Sequence, residues 1–471
     1  MSEIIIPLYI NGEWIKSETQ ERLYSPYHQT LLAHICQAEK SHIEMALKAA
    51  QSAAEQYDQW PSQAITDCLF HVYEQLKEQQ EKFATLIMNE SGKPITLAQK
   101  EVKRALLTIQ DGIRCTHELM GKSVPISDTK GAIGMQQRFP LGIILSITPF
   151  NFPLNLVLHK LIPALVSQNA VIHKPAPQTP MTSYHLMRLF HNTNLPKGQL
   201  NMICCPNNEV KTLVKDPRFN AISFTGSHKV GQEIQAQAPH QKILLECGGN
   251  APLIIDKSAD LNSACNAAVN GAFMYSGQIC ISVQRVYIHQ DHWQTCIETL
   301  KEKTQDLEIA PPESPKALLS GMINQNAIHR VEGLIKSALD QGATCLMGGK
   351  RNAHGILPSI FTNTTPQMGL DQEELFAPIM LVYPFDSFHT LIQGLKQDQF
   401  GLQIGIFTNK MAHILYSYKH LKYGAILINK SPTFRMDHMP YGGERNSGNT
   451  REGVRYAIQE MSTSKLLILD Q

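Results

Sequence analysis

The chain has ten cysteines but no Cys-x-x-Cys pair and no Cys/His spacing of a zinc site, so no metal centre is expected. It also lacks a basic segment followed by an apolar stretch at its start, MSEIIIPLYINGEW, so no secretion signal is read there. Cysteines in that setting suit a reducing cytoplasm better than a disulfide framework, most of them as small buried hydrophobes. Charge of one sign is not in excess: 42 basic against 41 acidic residues leave a net charge of +1. With 7% aromatics there is neither a field for a polyanion nor a base-stacking surface, which excludes nucleic acid and a membrane surface as partners. Long apolar runs are missing too. The most apolar stretch, 141–166, is broken by Pro149, Asn151, Pro153, Asn155, His159 and Lys160, a pattern of buried core rather than a lipid-facing span. There is no internal repeat, and no GxGxxG fingerprint of dinucleotide binding.

What is present is alternation. From about 141 to 256, apolar segments (GIILSITP, NAVIHKP, LNMICC, NAISFTG, KILLECGG, APLIID) alternate with amphipathic ones (LNLVLHKLIPALV, TSYHLMRLFHN, NEVKTLVKD, HKVGQEIQAQA). Buried strands alternating with helices predict a parallel, doubly wound α/β sheet, whose ligands bind beyond the carboxyl ends of the strands. A second alternation from about 265 to 430 predicts a second α/β domain. The first hundred residues read as helical after one short strand, LYING, with Ser41 as a helix cap. The terminal STSKLLILD reads as a lone strand that needs a sheet to join.

Several residues stand where chemistry can occur, each with a plainer reading beside it. Cys280, in SGQIC before a strand, is either a nucleophile or a buried thiol. Glu246 ends the strand KILLE, as a general base or a solvated charge. Asn151, between Pro149 and Pro153, is either a donor to an oxyanion or a helix cap. Lys174 ends VIHK, where an ammonium suits a ribose or phosphate. Gly226 and Ser227 open a helix, an anion site in backbone form. EELFAP, with Glu374 and Phe376, and PYGGERNSG, residues 440–448, read on composition as a charged loop and a turn.

PFNFP, FTGS, ECGGN, GQIC, EELFAP and PYGGERNSG, in this order over residues 8–467, resemble the aldehyde dehydrogenase superfamily. Glu246 precedes Cys280 by 34 positions, the family's interval. GQICISVQR, HKPAPQTP and RMDHMPYGG are similar to its lactaldehyde, phosphonoacetaldehyde and non-phosphorylating glyceraldehyde-3-phosphate branch. The resemblance implies Cys280 as nucleophile, Glu246 as base for deacylation, and Asn151 with the Cys280 N–H as oxyanion hole. It also implies NAD or NADP as cofactor, held by Lys174, Gly226, Ser227, Glu374 and Phe376. Residues 1–115 and 139–248 would be the cofactor-binding domain and 249–446 the catalytic domain. Segments 116–138 and 460–471 would form oligomerisation strands of a homodimer or homotetramer. Oxidation of an aldehyde to its acid through a cysteine thioester follows; a coenzyme-A-acylating enzyme and an inactive binding protein of the same fold are the alternatives, and Glu246 favours water as acceptor.

Two features bear on specificity. Many NAD-preferring members carry a glutamate three positions after the lysine, and here Pro177 stands there, so both NAD and NADP stay open. Asn151, Asn155 and His159 recur every four residues and share a helix face, which places Asn155 and His159 in the substrate channel if Asn151 faces the carbonyl. Met274, Ile279 and Ile281 are apolar, and Arg104, Arg285 and Arg435 are candidate anchors for an anionic group. The substrate expected is a small polar or anionic aldehyde.

Overall fold

Each apolar segment between 143 and 247 forms a strand, and the amphipathic segment after it forms a helix. The computed structural model describes residues 4–119, 121–126 and 131–470. Strands Ile143–Ile147, Ala170–Lys174, Leu200–Met202, Ala221–Gly226 and Lys242–Cys247 alternate with helices Asn155–Val166, Pro180–His191, Asn207–Leu213 and His228–Gln237. The five strands are mutually parallel, with Ile143–Ile147 between Ala170–Lys174 and Ala221–Gly226. The sheet therefore grows outward in both directions from its earliest parallel strand, which creates a switch point at the carboxyl end of Ile143–Ile147. The helix Asn155–Val166 is buried along its whole length, as its sequence requires.

The second alternation gives a second seven-stranded sheet. Ser359–Thr362, Ile379–Phe385, Val283–His289, Ala251–Ile255, Gln403–Phe407 and Ala425–Ile428 run parallel in that spatial order, with Thr344–Met347 antiparallel at one edge. The fold is thus a pair of doubly wound α/β sheets. A three-stranded sheet stands apart: Ser462–Leu469 pairs antiparallel with Ile133–Pro140, which pairs with Lys122–Val124. Residues 120 and 127–130 of the expected bridging segment lie outside the described residues. Leu466, Leu467, Ile468 and Leu469 are all half-exposed on the terminal strand.

The N-terminal expectation needs correction. The first 36 residues hold five strands, not one. Leu8–Ile10 and Glu13–Ile15 form a hairpin across Asn11–Gly12, both with positive φ (55° and 79°). Asn-Gly is the pair that such a two-residue turn demands, and it extends the first sheet by two antiparallel strands. Ser41 is not a cap either: the helix Lys40–Glu55 begins one residue earlier and is capped by Glu39, in a reciprocal box with His42. Helices Ser62–Glu78 and Gln80–Ser91 follow within the first hundred residues, as the helical reading of that region expects. The helix Val454–Glu460 packs Val454 and Ile458 into the core beneath the first sheet, with Ile109 and Val157.

Candidate active site

Five of the residues singled out by sequence sit at the carboxyl ends of the first sheet. Asn151 follows Ile143–Ile147, Lys174 ends its strand, Gly226 and Ser227 link a strand to a helix, and Glu246 is next to last in Lys242–Cys247. The second sheet contributes from the opposite ends: Cys280 precedes Val283–His289, and Glu374 and Phe376 precede Ile379–Phe385. The two sets meet. The Asn151 Nδ2 donates to the Gln278 carbonyl at 2.9 Å, two residues before the cysteine. The Phe150 and Phe376 rings meet edge to face at 5.8 Å.

The backbone before Cys280 is held in an unusual shape. Tyr275, Ser276 and Gly277 all have positive φ (54°, 55° and 68°). A Cβ on Gly277 would lie 2.2 Å from the Ala377 carbonyl, so only glycine lets this loop close against the EELFAP loop. Gln284 fastens the two segments further, donating to the Glu373 carbonyl and accepting from the Leu375 N–H. Strain held by packing in this way is common at reactive sites.

Cys280 is partly exposed, and its Sγ lies 2.9 Å from the Tyr441 hydroxyl. Burial pushes the thiol well above its ordinary range and the Glu246 carboxylate adds to this, while the Tyr441 hydrogen bond and the Arg435 charge pull it back. Tyr441 comes from the PYGGERNSG segment, whose role the structure explains. Ser447 accepts from the Cys247 N–H, Asn449 exchanges bonds with Leu245, and Gly448 bridges Glu246. The loop is laced to the strand that carries the carboxylate, which brings Tyr441 and Glu246 to one cysteine.

Glu246 is buried, and its Oε1 has no hydrogen-bond partner among the described residues. Burial pushes its carboxyl up to about 8, with the neighbouring Glu452 charge adding to the rise against Arg435 and Lys160. Glu452 is the opposite case: burial works against its charge, but Arg435 at 2.9 Å and Lys160 at 3.6 Å hold it low. Two adjacent carboxyls are thereby driven apart, one ionised and one able to hold a proton near neutrality.

Asn151 is not a helix cap. The helix begins at Asn155, and the Leu154 and Asn155 N–H groups donate to the Glu101 carboxylate at 3.0 and 3.1 Å. Glu101 is paired with the equally buried Lys93, whose ammonium stands 3.8 Å from the Phe152 ring centre and 4.8 Å from that of Tyr275. With capping supplied elsewhere, the Asn151 amide keeps its second N–H for another acceptor.

The remaining residues fit a nicotinamide nucleotide. Glu374 is half-buried, with its Oε1 shielded and unpartnered among the described residues, and desolvation pushes its carboxyl up to about 8. Its carboxylate lies against Gly248, where a Cβ would come within 2.0 Å of the oxygens. Ser227 is exposed at the start of a helix whose first N–H groups no side chain caps. Lys174 lines a pocket with Arg22, Glu21, Pro177, Cys204 and Cys205 and makes no ion pair among the described residues. Orphaned polar groups ranged along the strand ends are what a ribose and a pyrophosphate require.

All five expected substrate residues are engaged by partners within the protein. Arg285 is buried, bonded twice to Asp398, once to the Asn250 carbonyl and once to the Tyr287 hydroxyl, which commits its guanidinium within the fold. Arg435 is buried, stacked 3.7 Å over the Tyr441 ring and bound to Glu452. Asn155 and His159 share a face, but it is closed by a carboxylate the sequence reading passed over, Asp437. Arg104 reaches the same carboxylate with two bonds, at 2.8 and 3.0 Å. Tyr441, Lys160 and Asp437 lay within segments already singled out; Glu452 lay outside all of them.

The model of the aldehyde dehydrogenase family matches residues 14–467. The chain is 34% identical to the 3-sulfolactaldehyde dehydrogenase of Priestia megaterium, with 98% of each chain covered. It is also 34% identical to the lactaldehyde dehydrogenase of Methanococcus aeolicus, covering 98% of this chain and 100% of the relative. A solved glyceraldehyde-3-phosphate dehydrogenase of Methanocaldococcus jannaschii, complexed with NADP, superposes with a TM-score of 0.92 at 32% identity, over 97% of this chain and 100% of that one. A family model matched over almost the full length, with relatives 34% identical from end to end, makes this chain a member of the aldehyde dehydrogenase family and an NAD(P)-dependent oxidoreductase acting on aldehydes.

Proposed function

We propose that the chain oxidises a small polar or anionic aldehyde to its carboxylic acid, with Cys280 as nucleophile, Glu246 as base and Asn151 as oxyanion donor. One observation carries this reading: the Cys280 sulfur lies against the Tyr441 hydroxyl within the field of the orphaned Glu246 carboxylate. The partly exposed Cys280 thiol gives its proton to solvent, and Tyr441 donates a hydrogen bond to the resulting thiolate while Arg435 adds positive charge. The thiolate attacks the aldehyde carbon. The oxygen of the resulting thiohemiacetal takes hydrogen bonds from the free N–H of Asn151 and the N–H of Cys280, each worth about 2.7–4 kcal/mol in comparable sites. The bound nicotinamide supplies the acceptor for the hydride that leaves this adduct. Glu246 then removes a proton from water, which hydrolyses the thioester and frees Cys280. That buried base supports water rather than coenzyme A as acceptor.

Lys174, Gly226, Ser227, Glu374 and Phe376 are the residues we assign to the nucleotide, with 1–115 and 139–248 as its domain and 249–446 as the catalytic domain. Lys174 and Arg22 outnumber Glu21 in one pocket where the uncharged Pro177 stands three positions after the lysine, which supports use of NADP as well as NAD. The half-exposed leucines of Ser462–Leu469, on an edge strand, support burial against a second copy in a homodimer or homotetramer. Ten free cysteines support a reducing, cytoplasmic setting.

A panel of aldehydes assayed with NAD+ and NADP+, following absorbance of the reduced cofactor, tests the reading. Lactaldehyde and glycolaldehyde should be oxidised to free acids faster than hexanal or benzaldehyde, with no acyl-CoA when coenzyme A is added. Absence of reduced cofactor with every aldehyde contradicts it.

A further inference from the structure

Arg104, Asn155 and His159 have the chemistry of an anion cradle, and the structure fills that cradle from within. Asp437 Oδ1 accepts from Arg104 Nη2 at 2.8 Å and from Asn155 Nδ2 at 2.9 Å, and it lies 3.0 Å from His159 Nε2. Asp437 Oδ2 accepts from Arg104 Nε at 3.0 Å. A carboxylate can only accept, so the His159 proton sits on Nε2 and points at Asp437. Burial and the Arg435 charge keep His159 neutral.

The cradle belongs to the reactive site. Arg435 lies 3.3 Å from His159 and stacks on Tyr441, which touches Cys280. On the other side, the Arg104 guanidinium stands 5.7 Å from the ring centre of Phe152, next to Asn151 and packed in the cluster that holds Cys280. Arg104 is 28% exposed at its side chain while Asp437 is 5% exposed, so the arginine is the cradle's open edge and the carboxylate its floor. The other cations around Cys280 are committed as well: Arg435 and Lys160 to Glu452, and Lys93 to Glu101.

We propose that Asp437 is a specificity-determining residue: it occupies the anion cradle of Arg104, Asn155 and His159, so the enzyme prefers neutral, hydroxyl-bearing aldehydes to anionic ones of the same size. The inference rests on the aldehyde oxidation proposed above. A substrate carboxylate, sulfonate or phosphate entering here meets a fixed like charge and finds Arg104 already bonded twice. A hydroxyl meets no such repulsion, and it can accept from the outer N–H groups of Arg104. Exclusion by a like charge is a general means of selecting among substrates of one shape.

The test compares kcat/KM for lactaldehyde and glycolaldehyde with kcat/KM for succinic semialdehyde and sulfoacetaldehyde, in the wild type and in Asp437→Asn. In the wild type the neutral pair should be favoured by about tenfold or more, which is about 1.4 kcal/mol. Asp437→Asn should raise the anionic-to-neutral ratio about tenfold, and succinate should become a tighter inhibitor by a similar factor. A wild type that favours the anionic pair overturns the proposal without touching the assignment of Cys280 or Glu246, and so does an unchanged ratio in Asp437→Asn. Should that variant fail to fold, the wild-type ratio alone decides. No oxidation of any of the four aldehydes strikes instead at the proposed function.

Discussion

The Cys280 sulfur and the Tyr441 hydroxyl lie 2.9 Å apart, although 161 positions separate them in the chain. Burial and Glu246 both oppose a thiolate at Cys280, and this hydrogen bond is the largest influence that favours one. Removing it in Tyr441→Phe should cost about 1.5–3 kcal/mol of thiolate stabilisation, the range for a hydrogen bond to a charged group. Alkylation of Cys280 by iodoacetamide at fixed pH should slow by about tenfold or more. Its pH midpoint should move upward, a change that mere loosening of the fold would not produce.

With Glu246 as the proposed base, it and its neighbour Glu452 should set the pH dependence. The Glu246 carboxyl is pushed up to about 8, and only its ionised form can take a proton from water. The rate of thioester hydrolysis should therefore rise as pH increases through about 8 and level off above it. Glu452→Gln removes the negative neighbour, so Glu246 should ionise at lower pH and the rising limb should shift toward acid. Steady-state kcat measured from pH 6 to 10 under deacylation-limited conditions checks both statements.

Pro177 stands in the pocket of Lys174 and Arg22 without a charge. A carboxylate at that place accepts from the ribose 2′-hydroxyl and repels a 2′-phosphate. Pro177→Glu should lower the ratio of kcat/KM for NADP+ to that for NAD+ by at least about tenfold, the scale of a like-charge contact. Parallel titrations of the two cofactors at saturating aldehyde provide the measurement.

These predictions draw on residues of uneven legibility. Glu246, Asn151 and Lys174 could be singled out because each stands at or just beyond the carboxyl end of a strand, where an α/β alternation puts its ligands, whereas Cys280 precedes its strand and drew its proposed role from the ordered motifs around it. Arg285 could not: its strand position looks the same whether its partner is a substrate or Asp398, and that partner lies 113 positions away. Asn155 and His159 were rightly grouped on one face, because helical spacing is local. What faces them, Asp437, depends on long-range packing that no spacing reveals. The same holds for Glu452, which joins Lys160 and Arg435 without any motif of its own. At the N-terminus the failure was of a different kind, since the Asn11–Gly12 turn signal was present and the strands on either side of it were too short to stand out.

The covalent role proposed for Cys280 is open to direct observation. Glu246→Gln keeps the shape of the side chain and removes the base, so the reaction should stop at the thioester. Mixed with NADP+ and glycolaldehyde, this variant should release about one equivalent of reduced cofactor per active site, the burst expected of an accumulating acyl-enzyme. Peptide mass spectrometry of the quenched sample should find the glycoloyl group on the peptide that contains Cys280 and on none of the other nine cysteines. A full burst with Cys280 unmodified, or an acyl group carried by another cysteine, would contradict the account.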